Sequence, residues 1–340
     1  MKKFVIFLGW LSLLVPAPAF GWGCQGHQII AYIAELEMNP AALSAANALL
    51  NGNPISGLHR FCTSPAGNTP MSDAATWADD VRDIKGNGNW HFIDVQLRFA
   101  GHDPMPWCKN DCVIWALNQQ IAVLRDPASA DTARVEALRY IIHFAGDIHQ
   151  PLHAITNGTK GAEGNTVGDR GGNCVPVFFD QTDATSREGI KTNLHHIWDT
   201  DMLVELMQHS GVEDPRGFAQ LLDKKITASE RKAWIAKADP KDWAIESSLA
   251  AAKTGYAGLT TVSGVAVTAA EIADSQDLND PTKCDAAAQE RLLALKIHPD
   301  ADYRKAAEAV IEERLKEAGV RLAKLLNDTW PGGTAAPHEN

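Results

Sequence analysis

The stretch ALRYIIHFAGDIHQPLH, residues 137–153, gives the clearest indication of both the fold and the functional site. Apolar side chains recur at helical spacing through residues 132–149, and Pro151 then ends the pattern. His143 and Asp147 are four residues apart, so their side chains leave the same face of this helix. The stretch therefore predicts a helix that presents an imidazole and a carboxylate side by side.

Three residues close to this pair refine the interpretation. Gly146, beside Asp147, removes a side chain that would otherwise crowd a ligand. His153 follows the end of the helix, where the chain can fold back toward the same face. His149 points away from that face, which favours a packed histidine or one that supports the site through a hydrogen bond.

The same spacing recurs in NLHHIWD, residues 193–199, where His195 and Asp199 are again four apart. One such pair is usually a surface ion pair, but both pairs here stand among apolar or aromatic residues, where a bare ion pair is costly. Asp79 in ATWADDVR and His91 in NWHFID have similar surroundings. Imidazole and carboxylate ligands together suit zinc, so the pattern favours a metal site.

Helical patterns dominate the rest of the chain and predict a mainly α fold. They cover residues 27–37, 40–51, 240–258 and 303–328. Alternation at period two is scarce, and its best case is residues 89–97. Residues 154–190 are rich in glycine, which predicts a long ordered loop. The charged run at 304–324 indicates the solvated face of a helix.

The first residues are typical of an export signal. Lys2 and Lys3 precede the apolar stretch Phe4–Val15, and small residues then allow cleavage after Ala19 or after Gly21. We expect residues 1–21 to be removed, leaving an exported chain, periplasmic or secreted, with no membrane span in the mature protein. The last residues, 331–340, are expected to form a disordered tail, and a monomer is the default expectation.

The overall charge excludes one class of function. The formal net charge is −11, and removal of the two leader lysines makes the mature chain more acidic still. Such a chain should not hold duplex nucleic acid through a broad basic surface. Any phosphate that it handles must be neutralised locally, which favours single strands and mononucleotides over duplexes.

The six cysteines are an even number in a chain that is expected to be exported, so disulfides are the default interpretation. Cys108 and Cys112 are close enough in sequence to close a small loop. The other pairings are left open by the sequence.

Several segments in order resemble the S1/P1 family of zinc-dependent nucleases. They are WGCQGH at 22–27, WADDVR at 77–82, WHFID at 90–94, HFAGDIHQPLH at 143–153, GGN at 171–173, NLHHIWD at 193–199 and DWAIES at 242–247. The resemblance implies a single-domain helical fold of the phospholipase C/P1 nuclease type over residues 22–330, with long loops and little β structure.

The resemblance also implies three Zn²⁺ ions as cofactors. By matching positions, one ion is held by Asp79, His91, His143 and Asp147; a second by His153, His195 and Asp199; and the third by His27, by Asp147 as a bridge, and by the α-amine and carbonyl oxygen of Trp22. Trp22 would have to be the first mature residue, because a free amine with a pKa near ~8 can bind zinc whereas an amide nitrogen is a very poor ligand. This argument favours cleavage after Gly21.

The implied activity is cleavage of single-stranded DNA and RNA at P–O3′, which leaves 5′-phosphates, together with removal of 3′-phosphates from nucleotides. Asp94 matches the carboxylate that orients the attacking water, and Arg82 the arginine that neutralises phosphoryl charge. Phe92 would stack on a base or, alternatively, pack in the core. Asn173 would hydrogen-bond a base or a nearby ligand loop or, alternatively, serve as a plain turn residue.

Two other functions are compatible with parts of this pattern. A zinc-dependent phospholipase C shares the trizinc scaffold, but it places its first histidine farther from the tryptophan and ends its i,i+4 pair with glutamate. The second is an exported, non-catalytic domain that is stabilised by zinc. Such a domain would not need polar residues such as Arg82 and Asp94 beside the ligands.

Overall fold

The computed structural model describes residues 22–55, 62, 68–159, 168–179 and 190–332. The expected leader, residues 1–21, and most of the expected tail lie outside these residues. Helices make up 64 % of the structure and strands 6 %, which confirms the mainly α fold.

Fourteen α-helices are present in the described part of the chain. They are α1 (Cys24–Glu37), α2 (Pro40–Asn51), α3 (Pro70–Ala74), α4 (Trp77–Lys85), α5 (Val113–Arg125), α6 (Asp131–Asp147), α7 (Leu194–His196), α8 (Met202–Ser210), α9 (Pro215–Lys225), α10 (Ala228–Ile235), α11 (Pro240–Ala250), α12 (Ala269–Ile272), α13 (Ala286–Leu295) and α14 (Ala301–Thr329). A π-helical turn, Ile197–Asp201, joins α7 to α8, and 3₁₀ turns occupy Gly88–His91 and Pro151–Ala154.

Helix starts follow the capping chemistry of the sequence. Asn39 accepts a hydrogen bond from the N–H of Ala42, and Pro40 occupies the first turn of α2, where its missing N–H costs nothing. Asp300 caps the long helix α14 in the same way, through the N–H of Tyr303.

Helices α1 and α6 form the centre of the molecule. Helix α1 packs against α14, α9, α3 and α6, and α6 packs against α5 and α14. At Gly319 of α14 a Cβ atom would overlap the side chain of Ile33, so α1 and α14 pack with almost no space between them. The functional half of α6 is thereby held inside the core.

The structure differs from the sequence-based expectation in three places. Residues 89–97 form a 3₁₀ turn and an extended segment, in which Val95 and Leu97 hydrogen-bond to Thr156. The glycine-rich stretch contains strand β1 (Pro176–Phe179), which pairs antiparallel with β2 (Ile190–Asn193). A second short pair joins β3 (Thr260–Thr261) to β4 (Ile297–His298).

The third difference concerns the charged run at 304–324, which is not a solvated face throughout. Four of its charged residues are buried: Arg314, Lys316, Glu317 and Arg321. The reason is that α14 lies between other helices, so charges on its inner face pair with each other and with Glu246.

All six cysteines form disulfides, Cys24–Cys62, Cys108–Cys112 and Cys174–Cys284. The expected small loop at 108–112 is confirmed. Within the described residues, no helix is both long and apolar enough to cross a membrane.

Candidate metal centre

The predicted side-chain ligands come together from six parts of the fold. Helix α1 brings His27, α4 brings Asp79, the 3₁₀ turns bring His91 and His153, α6 brings His143 and Asp147, and the segment from α7 into the π-helical turn brings His195 and Asp199. All eight side chains are buried. We call these eight residues the metal cluster.

One part of the cluster surrounds Oδ2 of Asp147. This oxygen lies 3.0 Å from Nδ1 of His91 and 3.1 Å from Nε2 of His143, and the two nitrogens are 3.1 Å apart. Oδ1 of Asp79 lies 3.7 Å and 3.8 Å from the same nitrogens. The atoms of His91, His143 and Asp147 therefore converge on one small volume, as one metal ion requires, and Asp79 also comes together with His143 and His27.

A second part of the cluster is formed by His153, His195 and Asp199. Nε2 of His195 lies 3.0 Å from Nε2 of His153 and 3.2 Å from Oδ2 of Asp199. The spacing of four residues between His195 and Asp199 thus survives the change from α-helix to π-helical turn.

The third part lies on the other oxygen of Asp147. Nε2 of His27 is 3.4 Å from Oδ1 of Asp147, and the His27 ring stacks on His143 with 3.9 Å between centroids. At Gly146 a Cβ atom would lie 2.6 Å from Nδ1 of His27, so only glycine leaves room for this histidine. Asp147 therefore faces two groups of ligands at once.

Trp22 is the first described residue and precedes His27 by five positions. Its indole is fully buried, and the next residue, Gly23, donates its N–H to the backbone oxygen of Asp199 at 2.9 Å. At Gly26 a Cβ atom would lie 2.7 Å from the Cβ of Trp22. The start of the described chain is thus fixed against the metal cluster.

Backbone carbonyls set the orientation of three imidazoles. Nδ1 of His143 donates to the oxygen of Ala75, Nδ1 of His153 to that of His91, and Nδ1 of His195 to that of Gly171, each at 2.7 Å. These bonds assign the proton to Nδ1 and leave a lone pair on Nε2. The Nε2 lone pairs of His153 and His195 therefore face each other at 3.0 Å, which is unfavourable unless a cation lies between them.

Unsatisfied buried atoms indicate the same chemistry. Both ring nitrogens of His27, Nε2 of His91, Oδ1 of Asp79 and Oδ1 of Asp147 are buried and lack a hydrogen-bond partner. Buried polar atoms are normally paired, and a nitrogen and carboxylate donor set suits zinc. The residues present therefore fit divalent metal ions.

The pKa shifts fall into two groups. Burial would lower the pKa of His143, but the carboxylates of Asp147 and Asp79 raise it to about 9, and burial raises the pKa of Asp199 well above its usual value.

The other shifts in pKa agree with a ligand role. Burial lowers the pKa of His27 to about 4, and burial together with the neighbouring His153 keeps the pKa of His195 well below its usual value. Burial alone would raise the pKa of Asp147, but the surrounding histidines hold it far below the ordinary range. Neutral imidazoles and an ionised carboxylate are the forms that bind metal.

Arg82 borders the cluster, and Asp94 follows the predicted ligand His91 by three residues. Nη1 of Arg82 lies 3.8 Å from Oδ1 of Asp79, and its Nε lies 3.8 Å from Oδ1 of Asp83. Burial, and secondarily the charge of Asp169, raises the pKa of Asp94 to about 7. A carboxylate with that pKa can accept a proton near neutral pH.

The two predicted substrate-binding residues have different surroundings. Phe92 is half-buried in an extended segment directly after His91. The side-chain amide of Asn173 donates to the backbone oxygen of Arg170 at 2.8 Å, so it closes the turn that carries Gly171. The Nδ2 group of Asn173 therefore stabilises a turn. Phe92, in contrast, is not enclosed by the core.

Sequence reasoning missed two groups that support the site. The side chain of Gln150 donates to Oδ1 of Asp199 and accepts from the N–H of Leu152, so it fixes a ligand carboxylate. The oxygen of Gly171 orients His195, and any larger residue at Gly171 would overlap the oxygen of Leu152. The QPLH and GGN segments contained these residues, but no spacing rule assigns them a role.

A further group that combines His and Glu was also not foreseen. Glu205, His209 and Glu308 bring their ligand atoms together at the surface between α8 and α14. Arg304 lies 3.4 Å from Glu205, so this group already holds a cation of its own.

Comparison with known proteins identifies the relatives of this chain. The S1/P1 Nuclease family model matches residues 22–330. Nuclease S1 of Aspergillus oryzae is 27 % identical over 329 residues, which cover 93 % of this chain and 94 % of the relative. Nuclease P1 of Penicillium citrinum is 29 % identical over 63 % of this chain and 72 % of its own length, and Endonuclease 2 of Arabidopsis thaliana is 27 % identical over 93 % of both. The chain belongs to the S1/P1 nuclease family, whose members are zinc-dependent hydrolases of nucleic acid.

Proposed function

We propose that this protein is an exported endonuclease that binds three zinc ions and cleaves single-stranded DNA and RNA at P–O3′, leaving 5′-phosphates. The same site would remove the phosphate of nucleoside 3′-phosphates. The observation that carries the proposal is the convergence of buried lone pairs and carboxylates at three points, two of which share Asp147.

We assign the ligand sets as the family resemblance implies, and the grouping of buried imidazoles and carboxylates supports them. Asp79, His91, His143 and Asp147 form one set, and His153, His195 and Asp199 form another. The third consists of His27, Asp147 and the amine and carbonyl of Trp22. Zinc ions bound there would supply Lewis acidity and positive charge to a phosphodiester.

The remaining chemistry falls to two side chains at the border. Asp94, as a carboxylate, would orient the attacking water and accept its proton while the P–O3′ bond breaks. Arg82 would donate to the phosphoryl oxygens as negative charge grows on them. Because burial raises the pKa of Asp94 to about 7, the base form is lost as the pH falls below that value.

Charge and shape favour single strands. The chain is acidic overall, so positive charge is concentrated at the site and long duplex contacts are disfavoured. Half-buried Phe92 is available to stack on a base, which single strands permit and duplexes do not. Asn173 would contact the substrate through its carbonyl oxygen or its second N–H, since one N–H of its amide donates to the oxygen of Arg170.

Three disulfides are consistent with folding in an oxidising compartment. Export also gives a chemical reason for the leader, because cleavage after Gly21 would free the amine of Trp22 for metal binding. We treat the protein as a monomer.

The test compares two purified forms, one that starts at Trp22 and one that starts at Phe20, with single-stranded oligonucleotides and added zinc. We expect the Trp22 form to cleave, to leave 5′-phosphates and to bind three zinc ions. The Phe20 form should bind one ion fewer and be nearly inactive. Equal activity of both forms would disprove the role of the amine, and absence of cleavage by both would overturn the proposed nuclease activity.

A further inference from the structure

Arg170 occupies an unusual backbone position at the edge of the metal cluster. Its φ is 58°, and the next two residues, Gly171 and Gly172, have φ of 59° and 83°. Glycine adopts this left-handed conformation freely, but a residue with a long side chain does so only at an energetic cost. Arginine at such a position indicates that its side chain is required there.

The turn that carries Arg170 is fixed on both sides. The oxygen of Gly171 holds the ring of His195, and the oxygen of Arg170 accepts from both the backbone and the side chain of Asn173. Cys174, the next residue, forms a disulfide with Cys284. The Arg170 side chain therefore extends from a rigid base whose position is coupled to a metal ligand.

The guanidinium group is also held from its outer side. Nη1 donates to the oxygen of Thr282 at 2.6 Å, and the loop of Thr282 is braced by the bond from Gln276 to the oxygen of Pro281. Among the described residues, the oxygen of Thr282 accounts for one direct hydrogen bond, while a guanidinium carries several N–H groups. Half-buried Arg170 can therefore offer further donors to an anion.

Charges of both signs surround Arg170. It lies within electrostatic reach of Asp94, Arg82, Asp280 and His195. Burial and the neighbouring Arg82 lower the pKa of Arg170, while Asp94 and Asp280 raise it. Two arginines within electrostatic reach of each other suit a ligand with more than one phosphate.

The position beside His195 decides which phosphate Arg170 can meet. We place His153, His195 and Asp199 on the side of the departing 3′ oxygen, which refines the proposed function, in which Arg82 donates to the scissile phosphate. The next anionic group on the departing side is the 5′-phosphate of the nucleotide that carries that 3′ oxygen. Arg170 is the cation nearest to this side of the site along the chain, because the next residue, Gly171, holds the ring of His195.

We propose that Arg170 binds the 5′-phosphate of the nucleotide whose 3′ oxygen departs, so that the enzyme selects substrates extended in that direction. This inference rests on the proposed nuclease function and makes Arg170 a specificity residue. A fork of N–H donors fixes a phosphate by two parallel bonds, which lysine cannot reproduce.

The experiment measures kcat and KM for the dinucleotide TpT and for its 5′-phosphorylated form pTpT, with the zinc-loaded enzyme. We expect the unmodified protein to prefer pTpT by about tenfold in kcat/KM, through a lower KM, as one charge-assisted contact provides. Arg170→Gly, which suits the left-handed backbone, should reduce this preference to near one, and Arg170→Lys should retain part of it.

The matched control is Arg291→Ala. Arg291 is an exposed arginine that, like Arg170, donates to a backbone oxygen, in this case the oxygen of Glu271. The control variant makes the same change in net charge and should keep the preference for pTpT. On a longer single strand, Arg170→Gly should also reduce the slope of log kcat/KM against log salt by about 0.7, the value for one phosphate contact.

The outcomes separate the two proposals. If the unmodified enzyme cleaves neither dinucleotide nor longer strands, the nuclease function fails. If it prefers pTpT and Arg170→Gly prefers it equally, the nuclease stands and the role of Arg170 is overturned. If Arg170→Gly loses zinc or unfolds, the test rests on Arg170→Lys. A full tenfold preference of that variant for pTpT would contradict binding of the phosphate by two parallel bonds.

Discussion

Two polar clusters meet the chain around the end of α6, one through Asp147 and the other through His149, and they differ in how their charges are paired. In the metal cluster, lone pairs and carboxylates face one another, as at Nε2 of His153 and His195, 3.0 Å apart. The second cluster, which we call the arginine network, consists of His149, Glu246, Arg314, Glu317 and Arg321. There Nη1 of Arg321 lies 2.7 Å from Glu317 and 2.8 Å from Glu246.

The difference shows where each cluster obtains its positive charge. The arginine network contains its own cations, and even His149 is used as a neutral acceptor, since burial and the neighbouring Arg321 and Arg314 lower its pKa. The metal cluster has no arginine among its eight residues, although Arg82 lies 3.8 Å from Asp79 at its border, and this composition is consistent with cations bound from solution. Burial of polar residues is common to both, and only the match of donors to acceptors distinguishes a metal site from a structural network.

The strongest test of this contrast is Asp147→Asn. We expect the loss of one shared negative charge to weaken two ligand sets together and to reduce kcat/KM by about 10³-fold or more, with a fall in bound zinc. Kinetics and metal analysis of the purified variant measure both effects. Full zinc content with normal activity would show that Asp147 is not shared.

The corresponding test of the arginine network is Glu317→Leu. This change leaves Arg314 and Arg321 without their buried partner and should cost about 3–5 kcal/mol of unfolding free energy, measured by urea denaturation. Zinc bound per folded molecule should not change. The double variant Glu317→Leu, Arg321→Met should recover much of the loss, and failure to recover would mean that packing, and not charge, sets the cost.

A pair of glycine substitutions compares the two sides of α1. In Gly146→Ala the new Cβ atom would lie 2.6 Å from Nδ1 of His27 and would displace this predicted ligand. The variant should lose zinc, and its activity should fall about 10–100-fold. Gly319→Ala presses on Ile33 in the apolar contact with α14 and should cost about 2 kcal/mol of stability without loss of zinc from the folded protein. Zinc loss in both variants would show that α1 transmits any distortion to the site.

The sequence predicts the metal cluster well because helical spacing is a local property. Two residues four apart on a helix share a face wherever that helix lies, so the pattern alone pairs His143 with Asp147 and His195 with Asp199. The space predicted at Gly146 is confirmed for the same reason, although the neighbour that fills it is His27.

The same reasoning fails where tertiary packing decides. A run of charges on a helix is normally solvated, so the burial of Glu317 and Arg321 depends on helices that no local pattern reveals. Arg170 is not predicted because one arginine in a glycine-rich stretch has no spacing partner. The β1–β2 pair is not predicted because its strands are short and joined by residues 180–189, outside the described part of the chain.

The smallest expected effect concerns Asp169, a buried carboxylate outside the metal cluster that is held by neutral donors. Its oxygens accept from the N–H of Asn157 at 2.8 Å and from the hydroxyl of Tyr256 at 2.8 and 3.0 Å. Burial raises the pKa of Asp169 to about 6, although these donors oppose the shift. Its contribution to stability is therefore complete below the unfolded value of 3.8 and is lost as the pH rises through about 6.

Tyr256→Phe removes a donor that favours the charged form, so it should raise the pKa of Asp169 further. The variant should lose about 1.5 kcal/mol of unfolding free energy at pH 8 and much less at pH 4.5, where the carboxyl is mostly protonated in the folded protein. The matched control is Tyr303→Phe, whose hydroxyl donates to the oxygen of Gly255 and accepts from the indole of Trp198. Because both partners are neutral, its cost should not vary with pH between these values. An equal loss at both pH values for Tyr256→Phe would mean that the Tyr256 hydroxyl does not distinguish the charged from the neutral carboxyl.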